Sequence, residues 1–521
     1  MKRLALYPFL FVLYIILSPL DHNLDQLDPS QAFRPLIVLF LAVACGQLLF
    51  YLFFKDWQYA SYLVFLVILY FFFFRSLNRL VQDILSSFDR VLDEEIFLAI
   101  YTGLFGILVF KGVWSRLRAR NRLVIYLNLL FILWLLFPLY GLFSGTVFKT
   151  AQARSSSEQT LPSIGELVVD CSNSPDIYYI ILDGYGRADM LEDLYGLDNQ
   201  SFLAYLRNQG FYVADESYTN YIQTQYSIPS GLNFNFIDLP GEDTSGQMYI
   251  SDLMRRNNIM TVLERCGYQT VSIESGYFFT DHLVVDFYLS HGIGTNEFES
   301  LLLADSPVDV LAEELELEYP RYSYEAHRQR VLNSFEQLET LYQMPGPKFV
   351  FAHIISPHPP FVFDQYGQTV EQKHRYYIGD GDDFLGSLEE YLSGYPAQVQ
   401  FVNQKMEHLI DAILGNSSSP PVIIIQGDHG PGSRLVWESP ERTCLWERTP
   451  ILNAYYLPGD WERFLYPSIS PVNSFRVILN AYFGTDLPFL PDATYFTSHD
   501  PGQQAIDITR ERSSRTNCYS P

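Results

Sequence analysis

Pro421-Val422-Ile423-Ile424-Ile425-Gln426-Gly427-Asp428-His429-Gly430 decides how the soluble part of this chain is read. The run of β-branched residues is too short for a helix and is bounded by breakers, so it predicts a buried strand. The turn that follows sets a carboxylate and an imidazole side by side at the strand's C-terminal end. Open α/β sheets place their ligands at that end. Asp and His together suit a divalent metal. A tripeptide recurs by chance, so its weight depends on matching chemistry at other strand ends.

Upstream, Asp176-Ile177-Tyr178-Tyr179-Ile180-Ile181-Leu182-Asp183-Gly184 repeats the design: strand, carboxylate, tight turn, then a helix over Ala188–Tyr195. Alone, Asp183 reads as a turn or N-cap residue. Beside Asp428 it reads as part of a shared site. Further helices are expected over Ser201–Gln209, Ile250–Arg265, Glu325–Met344 and Ala397–Leu414. Strands are expected over Phe211–Ala214, Tyr268–Glu274, Lys348–Ile355 and Thr449–Leu457. This alternation predicts an α/β domain with a mostly parallel sheet covered by helices on both faces.

Tyr218–Asn233 crowds hydroxyls and amides around Thr224, Ser227 and Pro229. Proline suits a first helical turn, and free N–H groups at a helix start favour phosphate or sulfate. A hydroxyl there, facing a divalent cation, would be a metal-activated nucleophile. Thr219 and Ser230 read as ordinary cap and turn residues. His358 is boxed in by Pro357, Pro359 and Pro360 at a strand end. Such rigid presentation points to a substrate or acid/base contact. His353, inside the strand, reads as a satisfied structural histidine, and His499 as a loop residue.

The N-terminal part has another character. Five apolar stretches, Leu4–Leu20, Pro35–Phe54, Trp57–Phe74, Ile96–Trp114 and Leu123–Phe148, each approach the ~20 residues of a transmembrane helix. Lys2-Arg3 precede the first, but no small-residue cleavage site follows, so it reads as a retained span. Lys111, Arg116, Arg118, Arg120 and Arg122 mark a cytoplasmic loop. Five spans with the N-terminus inside put the remainder outside the cytoplasm. The expected division is 1–148 transmembrane, 149–170 linker and 171–521 catalytic.

Charge follows the same division. Residues 1–150 hold 13 Lys+Arg and 9 Asp+Glu, a net of +4, so the whole chain's −25 leaves −29 for residues 151–521. That excludes nucleic acid as an expected partner. Cys45 lies in a span. Cys171, Cys266, Cys444 and Cys518 lie where disulfides are possible, and the sequence does not choose among three pairings.

Leu182-Asp183-Gly184, Thr224-x-x-Ser227-x-Pro229, His358-Pro359-Pro360-Phe361 and Asp428-His429-Gly430, in this order after five spans, resemble the alkaline phosphatase superfamily. The likeness is to its membrane-anchored sulfatase-like branch, which includes lipoteichoic acid synthases and phosphoethanolamine transferases. The resemblance implies Thr224 as nucleophile and Asp183, Asp428 and His429, with Thr224, as ligands of one divalent metal (Mn, Zn or Mg). A second metal stays open. His358 matches a histidine that contacts substrate. It further implies a multi-pass protein of the cytoplasmic membrane, a membrane lipid or lipid-linked substrate, and an envelope glycan or lipid acceptor. The departures also count. Asp183 stands where many transferases have Glu. Gly231 stands where a sulfatase's modification motif has Arg, which leaves Ser227 as runner-up nucleophile. No Cys lies near Thr224. A metal-dependent phosphoryl-group transferase of phosphoglycerol or phosphoethanolamine type is the expectation. A sulfatase-like hydrolase or phosphodiesterase is the alternative, and a non-catalytic envelope protein is the third reading.

Overall fold

The computed structural model describes residues 4–22, 32–86, 94–115, 120–156, 167–237, 245–281, 283–290, 297–304, 306–307, 323–498 and 504–519. The chain forms two compact units. One is Met1–Leu161 with Gly294–Arg321, and the other is Pro162–Ile293 with Tyr322–Pro521.

The first unit contains α1 (Tyr7–His22), α2 (Phe33–Phe54), α3 (Trp57–Phe72), α4 (Phe74–Ser86), α5 (Glu94–Ser115) and α6 (Arg120–Ser156). The expectation of five spans is corrected here. Among the described residues two helices are long and apolar enough to cross a membrane, Phe33–Phe54 and Arg122–Leu142. A third span exists only if Trp57–Phe72 and Phe74–Gln82, bent by 49°, count as one. Tyr7–Asp21 and Ile96–Val109 are shorter apolar helices. The reasons are local. A helix of 16 residues reaches about 24 Å, short of the ~30 Å hydrocarbon core. After Phe73 the chain turns polar, with Arg75, Asn78 and Arg79. α1 packs on α6 and α2 on α3, around Tyr7, Phe11, Ile15, Val43, Val64 and Phe131. Leu41, Phe53, Leu104 and Leu133 point outward, as in helices that meet lipid.

Helix Glu297–Ala304, which the expected division assigned to the catalytic domain, belongs to this first unit. Phe298 and Leu302 join its apolar cluster, and Glu299 pairs with Arg34. Eight residues are too few for a periodicity signal to separate them from their neighbours in sequence.

The second unit is built on a seven-stranded sheet. Its elements in chain order are β1 (Ile177–Leu182), α7 (Ala188–Tyr195), α8 (Gln200–Asn208), β2 (Tyr212–Val213), α9 (Thr224–Leu232), α10 (Ser245–Arg255), α11 (Asn258–Arg265), β3 (Gln269–Ile273), α12 (Phe278–Asp281), β4 (Phe287–Leu289), α13 (Tyr324–Leu338), β5 (Lys348–Ile354), α14 (Leu388–Asn416), β6 (Val422–Gly427), α15 (Leu445–Arg448), β7 (Asn453–Tyr456) and α16 (Pro471–Tyr482). Strands β8 (Tyr495–Phe496) and β9 (Ile506–Asp507) form a separate pair.

The order is β2-β7-β6-β1-β5-β3-β4. β6, β1, β5, β3 and β4 run parallel, while β7 is antiparallel to both β6 and β2. The sheet is therefore mixed, with one antiparallel strand, β7, next to the β2 edge, which residue patterning cannot show. Successive side chains of β1 enter opposite layers, as the two-residue period requires. Tyr178, Ile180 and Leu182 pack in one core, and Ile177, Tyr179 and Ile181 in the other. Burial on both faces explains the continuous apolar runs. Register decides the rest. Leu182 lies beside Gly427 and Ile354, so three neighbouring strands end level, and the residues after each converge.

Other boundaries shifted. Ile250–Arg265 is two helices, because the Asn257 side chain accepts from Met260 N at 3.0 Å and starts α11 afresh. The helix expected over Ala397–Leu414 starts earlier, at Leu388, under a capping box of Ser387 and Glu390. The disulfides are Cys171–Cys266 and Cys444–Cys518, and Cys45 is free.

Candidate active site

The level strand ends bring Asp183 from β1 and Asp428 and His429 from β6 together, all buried. Gly184 makes the turn, with φ of +72°, a conformation in which glycine is preferred. Its N–H then donates to Asp428 Oδ1 at 3.0 Å, and the His429 N–H donates to the same oxygen at 3.0 Å. The other oxygen, Oδ2, has no hydrogen-bond donor and lies 3.3 Å from His429 Nε2. Asp183 is held in the same manner. Its Oδ2 lies 3.2 Å from His353 Nε2, while Oδ1 has no hydrogen-bond partner and lies 3.6 Å from His429 Nε2. His429 Nδ1 donates to the Gly430 carbonyl at 2.9 Å. That fixes the tautomer and leaves the Nε2 lone pair aimed at the two free oxygens.

Two buried carboxylate oxygens without donors are expensive, about 1–3 kcal/mol each. Two such oxygens beside an imidazole lone pair form a set of acceptors without a cation. The Asp183, Asp428 and His429 ligand atoms lie within 4.8 Å of one another. Two hard oxygens and one nitrogen fit a divalent cation of the Mn, Zn or Mg kind. Electrostatics agree. Burial pushes the Asp183 carboxyl up, but the imidazoles of His358, His353 and His429 outweigh it and hold the group below the usual carboxylate range. Burial, with the Arg448 charge, lowers His429, which keeps its ring neutral, as a ligand must be.

Thr224 opens α9. Its Oγ1 is 3.1 Å from His429 Nε2 and donates to it. Thr224 is the half-buried hydroxyl at the site, with the free N–H groups of the helix start around it. Ser227 lies one turn further in, buried, and spends its hydroxyl on the Asp428 carbonyl at 2.7 Å. Thr219 donates to the same carbonyl. Both hydroxyls therefore brace the Asp428 turn.

His358 also reaches the site. Its backbone N–H donates to the Asp183 carbonyl at 2.9 Å, its ring centroid is 6.2 Å from that of His429, and its Nε2 is 3.9 Å from Asp380 Oδ2. Asp380 pairs with the buried Arg448, and Arg448 further donates to the carbonyls of Ile222 and Gly430. Sequence reasoning missed Asp380. It sits in Gly379-Asp380-Gly381-Asp382-Asp383, which reads as an acidic turn, and it is 68 residues from its partner. His353 bonds through Nδ1 to Thr280 Oγ1 at 2.9 Å, so it is satisfied there alone, while its buried Nε2 lies 3.2 Å from Asp183 Oδ2 without a hydrogen bond. His499 lies outside the described residues.

Fold and site together define an enzyme of the alkaline phosphatase superfamily. The model of a family described as Sulfatase matches residues 175–458, more than half of the chain, and the chain belongs to that family. No curated protein matches. Among solved structures, the chain is similar to the integral membrane protein lipooligosaccharide phosphoethanolamine transferase A (EptA) from Neisseria meningitidis. Identity is 13%, the TM-score is 0.40, and 92% of this chain and 94% of that one are covered. It is similar to the C-terminal periplasmic domain of EcEptC from Escherichia coli in complex with Zn, at 12% identity and a TM-score of 0.43, over 68% of this chain and 98% of that one. It is also similar to BT1596, a 2-O GAG sulfatase, at 12% identity and a TM-score of 0.38, over 60% and 72%.

Proposed function

We propose that this chain is a membrane-anchored, metal-dependent transferase that moves a phosphoglycerol- or phosphoethanolamine-type group from a membrane lipid to an envelope lipid or glycan. The observation that carries the reading is the position of Thr224 Oγ1, 3.1 Å from His429 Nε2 at the mouth of the two-carboxylate cluster. Thr224 Oγ forms a bond to phosphorus, and the bond from phosphorus to the lipid's glycerol oxygen breaks. That oxygen takes up a proton and leaves as the hydroxyl of a diacylglycerol. An acceptor hydroxyl then attacks the phosphothreonine and releases Thr224. The N-terminal groups of α9 face the anion, and His358 contacts the substrate beside Asp183. Asp183, Asp428, His429 and Thr224 would hold a divalent cation, whose charge lowers the pKa of the hydroxyl and offsets repulsion from the incoming phosphate.

Family membership alone does not carry sulfatase chemistry. The residue at the mouth is threonine, the serine beside it is buried and engaged, and Gly231 occupies the arginine position of a sulfatase's modification motif. The apolar helices favour a donor that lives in the bilayer. We place the linker in 149–170 and the catalytic unit outside the cytoplasm.

The test is the intact mass of the full-length protein in detergent after incubation with Mn²⁺ and phospholipids. The expected result is an adduct that maps to Thr224, names the transferred group by its mass, and vanishes in Thr224→Ala while metal binding persists. An adduct on Ser227, or none in a metal-loaded protein turning over lipid, would overturn the nucleophile.

A further inference from the structure

The membrane unit holds a polar feature that the catalytic reading does not use. A pocket of about 330 Å³ lies between α1 and α6, lined by Tyr14, Ser18, Asp21, Trp134, Phe137 and Pro138. Among the described residues Asp21 is the only charged one in this lining. It stands in the last turn of α1, just beyond the apolar stretch Leu4–Leu20, and is partly buried.

Three independent features shape the space around it. First, the Asp21 carboxylate lies directly against α6 at Gly141, where a Cβ would come within 2.1 Å of its Oδ1. Second, Pro138 has no N–H, so the carbonyl of Trp134 four residues earlier lacks its usual helical donor. Third, the rings of Tyr14 and Trp134 stand 5.4 Å apart, tilted by 41°, and wall the pocket. A carboxylate and a freed carbonyl are acceptors, and aromatic faces attract cations. The fitting occupant is a cation that carries N–H or N–CH groups. The Tyr14 hydroxyl can meet an adjoining phosphate. Phe137 is 74% exposed on the outer face of the helix, which suits acyl chains running along α6.

We propose that this pocket binds the ammonium headgroup of a membrane phospholipid. The site is separate from the metal centre, and the inference does not rest on the transferase reading. The experiment is native mass spectrometry of the full-length protein in detergent, supplied in turn with phosphatidylethanolamine, phosphatidylcholine and phosphatidylglycerol. The two ammonium lipids should be retained in preference to phosphatidylglycerol. Asp21→Asn should weaken their retention by about tenfold, the size of one lost ionic contact to the headgroup cation. Trp134→Leu, which keeps an apolar surface, should weaken it as well. Metal-induced stabilisation should be unchanged in both variants, which separates this result from the fate of the catalytic proposal. Equal retention of phosphatidylglycerol, or wild-type retention in both variants, would overturn the assignment. Soluble phosphocholine binding as tightly as the lipids would overturn the role of the bilayer.

Discussion

Asp428 does two jobs with its two oxygens. Oδ1 accepts from Gly184 and His429 and holds the turns after β1 and β6 together, while Oδ2 faces Asp183 and His429 without a donor. Asn at this position keeps the first role and removes the second. Asp428→Asn should therefore leave the metal-free protein at least as stable as wild type, because one of two facing carboxylates is gone. It should abolish the metal-induced rise in Tm and lower turnover by on the order of 10³. Thermal melts with and without Mn²⁺ check this, and a metal-free protein that melts well below wild type would sink it. Asp380 differs in kind. Its removal as Asp380→Asn strands the buried Arg448 charge, and breaking such a pair costs about 3–5 kcal/mol. The unfolding midpoint in denaturant should fall accordingly; an unchanged midpoint would show that the pair is not structural. Asp183, Asp428 and His429 were legible because each sits directly after a readable strand. Asp380 and Arg448 were not, since their meeting depends on loops whose paths no local pattern records.

At the scale of elements, α14 shows what a cap contributes. The Ser387 side chain accepts from Glu390 N, and Glu390 accepts from the Ser387 N–H. That backbone N–H first, and Lys373 second, hold the exposed Glu390 carboxyl down to about 2. A carboxyl lowered on folding stabilises the fold fully above its ordinary value, and the benefit is lost as pH falls toward the folded value. Glu390→Gln should thus lower Tm at neutral pH and flatten its decline between about pH 5 and pH 2.5. Parallel acid limbs in the two proteins would argue that the cap carries no charge effect. Asn257 makes the same point without titration. Asn257→Ala should cost about 1 kcal/mol, because it removes the bond to Met260 N that starts α11. This element also explains a misreading. Apolar spacing runs on through Ile250–Arg265 as if one helix, and the break comes from one side chain's hydrogen bond, which periodicity does not see. The strand ends behaved oppositely, since Gly, Asp and Pro mark them in the sequence itself.

The whole molecule pairs a basic, apolar N-terminal part with a strongly acidic remainder, and the orientation we propose rests on that pairing. Lys111, Arg116, Arg118, Arg120 and Arg122 crowd the segment of sequence that joins the apolar parts of α5 and α6, and such basic segments stay in the cytoplasm. In the proposed orientation α6 carries the chain across, and residues 151–521, with their net charge of −29, emerge on the opposite side. Among the described residues only Phe33–Phe54 and Arg122–Leu142 are long and apolar enough to span, so the proposed orientation rests on this basic segment and on α6 rather than on a count of crossings. The count was the part least legible in the sequence, because apolar length is visible there and helix bending is not. The orientation can be tested by cysteine labelling in a Cys45→Ser background. Ser418→Cys lies on an exposed loop of the catalytic unit, and Arg118→Cys falls in the basic sequence between Lys111 and Arg122. A membrane-impermeant maleimide should reach the first in cells with an intact cytoplasmic membrane and the second only after lysis. The reverse pattern would place the Thr224 site in the cytoplasm. Envelope acceptors would then be out of reach, and the transferase reading would fail even if the metal site were confirmed.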